Sequence, residues 1–80
     1  MTIGERIKEL REAMHLSQRA LARRSGINFE TIQKLEAGTQ RDVGLRMAMK
    51  IARGLGVHMD AFVRDVDTDV EPAVALTVGN

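Results

Sequence analysis

Residues 28–41 place together side chains able to hydrogen-bond to the edges and the backbone of a nucleic acid: Asn28-Phe29-Glu30-Thr31, Gln33-Lys34 and Thr39-Gln40-Arg41. The Gln33 amide carries the donor and the acceptor that pair bidentately with adenine, Lys34 donates to guanine or phosphate, and Glu30 accepts from the amino group of cytosine. Phe29 offers an apolar contact to a thymine methyl, and Thr31 completes the candidate base-reading set. Gln18 stands at the start of an earlier predicted helix, where its amide and the helix N-terminus together suit a phosphate oxygen. Asn28 is a further candidate for contact with a nucleic-acid backbone.

Each of these residues has a plainer alternative. Glu30 and Lys34 are spaced to form an exposed i,i+4 salt bridge. Phe29 can pack back against Gln18 or Arg41, and Asn28 can serve only as a helix cap. Arg23 and Arg24 read most simply as a solvated face. His15 and His58 each lack a second ligand at metal spacing and read as helix-terminal residues, so no metal site is expected. No nucleophile, base and orienting group recur near one another, and no phosphate-cradling glycine loop follows a strand. The sequence therefore does not read as an enzyme, and neither a cofactor nor a small-molecule site is evident.

These side chains need elements to hold them. Thr2 and Glu5 have capping-box spacing, and Ile3, Ile7, Leu10 and Met14 recur at helical intervals, so a first helix is predicted over about residues 3 to 14. Ser17 is a good cap for a second helix starting at Gln18, with Leu16 and Leu21 as its hydrophobic staple and Gly26 as its stop. The device repeats with Asn28 as cap, Ile27 and Ile32 as staple and Gly38 as stop. Two helices joined by a short glycine-containing turn have the form of a helix-turn-helix. Ile32 and Leu35 must face inward on the third helix, which puts Phe29, Glu30, Gln33 and Lys34 on its other side. Asp42 would cap a fourth helix traced by Leu45, Ala48, Ile51, Ala52 and Leu55 and stopped at Gly56. Val57 and Phe62 would staple a fifth, from about Met59 to Arg64, with His58 as an imperfect cap.

The run from Ser17-Gln18 through Leu21-Ala22, Gly26, Thr31-Ile32 and Leu35-Glu36 to Gly38 resembles the lambda-repressor and Cro family of helix-turn-helix domains, and the likeness continues through Leu55-Gly56-Val57 to Phe62. The resemblance implies an all-α, five-helix, lambda-repressor-like fold whose third helix lies in the DNA major groove. It also implies a transcriptional regulator, a repressor, that binds double-stranded DNA as a homodimer. By the same resemblance Gln18 contacts the DNA backbone, the loop Thr39-Gln40-Arg41 runs beside it, and Arg11 and Glu36 form a buried structural ion pair. The sequence departs from the family where a proline often follows that loop: here it reads Asp42-Val43-Gly44, and the Asp42 charge argues against close phosphate contact at that residue.

The chain has 80 residues, enough for one modest core. It has no cysteine, no apolar run of the roughly 18 residues a membrane span needs, and no visible secretory leader, so a cytoplasmic protein is expected. The net charge of +1 hides a segregation: residues 1–64 hold twelve bases against seven acids, a net +5, while residues 65–80 hold four acids and no base. A basic body with an acidic tail suits a polyanion-binding domain, 1–64, with an appended segment, 65–80. In that segment Val74, Leu76 and Val78 alternate after Pro72, as in a loose tail or a short dimerisation strand. Val57, Met59 and Val63 supply the rest of an expected dimer interface. The expected target is then a pseudo-palindromic operator. The competing reading is an antitoxin or protein-interaction module that uses the same fold to mask a partner.

Overall fold

In the computed structural model, which describes residues 1–66, the chain forms five helices: α1 (Ile3–Ala13), α2 (Gln18–Ser25), α3 (Phe29–Ala37), α4 (Leu45–Leu55) and α5 (Met59–Val63). The helix starts follow from local chemistry. Thr2 accepts from the Glu5 N–H while Glu5 accepts from the Thr2 N–H, a closed capping box at 3.1 and 2.8 Å. Ser17 accepts from the Ala20 N–H and Asn28 from the Glu30 N–H. Three helices then stop at glycines in the left-handed conformation, Gly26, Gly38 and Gly56.

The fourth helix corrects two expectations. Its cap is Gly44, with no side-chain bond, and not Asp42, because the helix begins only at Leu45, three residues beyond the aspartate. Leu45, expected inside, is 71% exposed: it lies on the first turn of α4, and the periodic match to Ala48 and Ile51 ends at the edge of the core. Because Gly44 has cap geometry and nothing within 4 Å of an added Cβ, Gly44→Ser is expected to stabilise the fold. A cap bond and a less flexible unfolded chain together are worth about 0.5 to 1 kcal/mol. A thermal melt a few degrees above that of the parent is the check; an unchanged or lower melting point would show that the serine makes no cap bond.

The core joins all five helices through Ile7, Leu21, Ile32, Leu35, Ile51, Leu55 and Phe62, each almost wholly buried. Its strongest seams run between α2 and α4, α1 and α3, and α2 and α3. Two glycines set how closely the helices approach. A Cβ on Gly4 would lie 1.8 Å from the Leu35 carbonyl oxygen, and one on Gly54 would lie 2.9 Å from the Ser25 Cβ. Helices α1 and α3 thus meet backbone to backbone at Gly4, and α2 and α4 touch at Gly54.

Two arginines fasten helices across these seams. Arg24, expected on a solvated face, donates its Nε–H to the Gly54 carbonyl at 2.7 Å. Arg6 bridges Glu9 on its own helix and the Arg64 carbonyl at the end of α5. Among the described residues no helix is long and apolar enough to cross a membrane, and no cluster of His, Cys, Asp and Glu is placed to hold a metal ion.

Candidate nucleic-acid interface

The arrangement of α2 and α3 follows from which of their residues are buried. Ile32 and Leu35 are sealed in the core, so Glu30, Gln33 and Lys34 stand exposed along the outer face of α3, with Phe29 and Thr31 half-buried at its first turn. Glu30 and Lys34 do not pair with each other, which leaves both side chains open among the described residues. A shallow cleft beside α3 is lined by Lys8, Arg11, Gln18, Gln33, Glu36 and Ala37. It brings Gln33 and Gln18, fifteen positions apart in sequence, onto neighbouring walls.

Glu36 is the hub behind that cleft. Arg11 grips it in bidentate fashion, Nε to Oε2 at 2.7 Å and an Nη to Oε1 at 2.8 Å. The two side chains are only 12% and 5% exposed. The second Arg11 Nη donates to the Leu16 carbonyl, so one guanidinium ties α1 to the end of α3 and to the turn before α2. The hydrogen bonds to Glu36 hold the Arg11 pKa above the ordinary arginine value, outweighing the opposing effect of burial.

Gln18 joins the same hub, its amide nitrogen donating to Glu36 Oε1 at 3.1 Å. That bond fixes the amide with its nitrogen turned towards the carboxylate. What Gln18 still offers an anion is the second hydrogen of that amide and its backbone N–H, which as the first residue of α2 belongs to the helix's unpaired first turn. Asn28 spends its side-chain oxygen on the Glu30 N–H, leaving the amide nitrogen as a donor. Thr39 donates to the Lys34 carbonyl at 3.3 Å, and Arg41 is exposed in the loop after α3.

Of the residues expected at a dimer surface, Val63 is 40% exposed, whereas Val57 and Met59 are half-buried and pack on the core. Val74, Leu76 and Val78 lie outside the described residues. Leu45 and Met49 add exposed apolar surface on α4 that periodicity did not reveal. Sequence reasoning also missed Arg19, whose guanidinium carbon sits over the Phe29 ring, 4.1 Å from its centroid. No periodic spacing relates those two residues; only the angle of the turn between α2 and α3 brings them together. Gly4 did leave a signal, since a glycine within a helix is less stable there than alanine and wants a reason.

Two short helices across a left-handed glycine turn, backed by a shared ionic hub and capped at both N-termini, define a helix-turn-helix unit. A family model described as helix-turn-helix matches residues 7–62, and the chain belongs to that family, in its Cro/C1 type, a class of transcriptional regulators and not of enzymes. It is 40% identical over 65 residues to an uncharacterized transcriptional regulator in the ATPase CF(0) region of Rhodospirillum rubrum, covering 81% of this chain and 59% of that protein. An uncharacterized HTH-type transcriptional regulator of Archaeoglobus fulgidus is 41% identical over 61 residues, 75% of this chain and 84% of its own. Among solved structures, the restriction-modification controller protein C.AhdI from Aeromonas hydrophila matches with a TM-score of 0.70 and 37% identity, covering 75% of this chain and 89% of that one. The chain spans about half the length of several relatives, 48% in the case of the regulator y4aM of Sinorhizobium fredii.

Proposed function

We propose that this chain is a sequence-specific, double-stranded-DNA-binding repressor that lays α3 in the major groove as one half of a homodimer. The observation that carries the reading is the two-sidedness of α3: Ile32 and Leu35 are buried while Glu30, Gln33 and Lys34 project from a helix whose first turn adjoins the N-terminus of α2. A helix so presented fits the roughly 12 Å major groove, its first turn towards the base edges, while the preceding helix crosses the backbone. Gln33 then reads adenine, Lys34 guanine or phosphate, and Glu30 cytosine, with Thr31 and Phe29 at the first turn. Phosphates are met by the α2 N-terminus at Gln18, by the Asn28 amide nitrogen, and by Thr39 and Arg41 in the loop. The net charge of +5 over residues 1–64 favours the polyanion before any base is read.

The dimer supplies what one small domain lacks. One copy reads half an operator, and two copies joined through Val63 and the α5 region place two α3 helices one DNA turn apart, roughly 34 Å. Selection of bound duplexes from a random pool tests both parts of the reading. The intact chain is expected to select an inverted repeat with half-site centres about 10 base pairs apart. Gln33→Ala should weaken binding to that site by about 1 to 3 kcal/mol and relax preference at one or two positions in each half. A single non-palindromic site would remove the dimer, and a consensus untouched by Gln33→Ala would remove α3 from the groove.

A further inference from the structure

The pairing of Arg19 with Phe29 has no role in the reading above, which only sets Phe29 at the first turn of α3. Arg19 is the second residue of α2 and Phe29 the first of α3, so their contact spans the entrances of both helices of the motif. Phe29 is half-buried and packs on the core, which fixes its ring. Arg19 is exposed, and among the described residues it has no interaction besides that ring. It thus differs from Arg6, Arg11 and Arg24, whose donors are engaged by carboxylates or carbonyls.

A guanidinium whose carbon rests over an aromatic ring gives up no N–H to a carboxylate or carbonyl, so its five donors remain available to a partner. The contact also reduces the rotamer freedom that a free arginine loses on binding. The result is a pre-positioned planar fork beside the first turn of α3, the part of the helix turned towards base edges. One face of Phe29 is taken by Arg19 and is closed to a thymine methyl.

We propose that Arg19, propped on Phe29, reads a guanine through its O6 and N7 atoms and so determines one position of each half-site. Bidentate pairing of arginine with guanine uses the planar fork that the ring helps to hold in place; a phosphate can take the same fork, and only the guanine contact carries a sequence preference. The inference rests on the DNA-binding reading above, and the test separates the two. Selection is run with the intact parent, Arg19→Lys, Arg19→Ala and Phe29→Leu, alongside affinity as a function of salt. Arg19→Lys keeps the charge and, at an exposed site, leaves the core intact, so its salt dependence should match the parent.

The lysine variant should nevertheless lose the guanine preference at one position per half-site, by roughly tenfold or more, because a lysine lacks the planar fork. Phe29→Leu should weaken preference at that same position, and adding it to Arg19→Lys should cost nothing further there. If Arg19→Lys selects the parent's consensus, the inference fails while the parent's own consensus still upholds DNA binding. It fails equally if Arg19→Ala only lowers the salt slope by about one phosphate contact with the consensus unchanged. A parent that selects no sequence at all overturns both readings.

Discussion

Gly4→Ala is expected to lower the melting temperature by roughly 8 to 16 °C. The added Cβ would stand 1.8 Å from the Leu35 carbonyl oxygen and 2.7 Å from its carbonyl carbon, both backbone atoms that cannot swing aside. Relief requires α1 to lift away from α3, and that movement opens the core at Ile7 and Leu35, which are 0% and 1% exposed. Forced overpacking of this kind costs about 3 kcal/mol, and each kcal/mol moves the melting point of a domain this size by roughly 4 to 8 °C. The intrinsic helix preference of alanine over glycine works the other way by about 1 kcal/mol and is the smaller term. Circular dichroism melts decide the matter. A variant as stable as the parent would mean that α1 and α3 do not meet at this glycine.

Arg11→Ala should be comparably damaging for a different reason. Glu36 is 5% exposed at its side chain, and removing the guanidinium leaves its charge buried with only the Gln18 amide as a donor. Breaking one half of such a pair costs about 3 to 5 kcal/mol, most of it the burden of the stranded charge. The Leu16 carbonyl loses its donor at the same time, which loosens the turn before α2. The arginine pKa is raised in the folded protein, so its contribution is fully present at neutral pH and is lost only as strong alkali removes the proton. Pairing Arg11→Met with Glu36→Leu should recover much of the loss, because the charge then goes with its partner. DNA affinity should fall only as far as folding falls. A single variant that melts with the parent would show that water already reaches Glu36.

The contrast between these residues shows what the sequence could yield. Thr2 with its capping box, Ser17 and Asn28 with their staples, and Gly26, Gly38 and Gly56, are local devices acting over three to five residues, and they marked the helices directly. The outer face of α3 followed from the burial of Ile32 and Leu35. Asp42 misled because its residue type suits a cap while the helix does not begin until Leu45, after Gly44. Leu45 misled because periodicity reports which side a residue lies on, not whether a neighbour reaches that far along the helix. Arg24 to Gly54, Arg6 to Arg64 and Arg19 to Phe29 depend on angles between helices, which no local pattern contains.

The placement of Glu36 has a consequence for how such a protein changes its target over generations. The hub fastens α3 by its last turn and its inner face, while the side chains proposed to enter the groove stand on the outer face at positions 30, 33 and 34. Anchorage and vocabulary are therefore written on different residues of one nine-residue helix. Mutations that alter the outer set leave the anchor untouched, so on the proposed reading a duplicated copy of the gene can drift to a new operator while its product continues to fold.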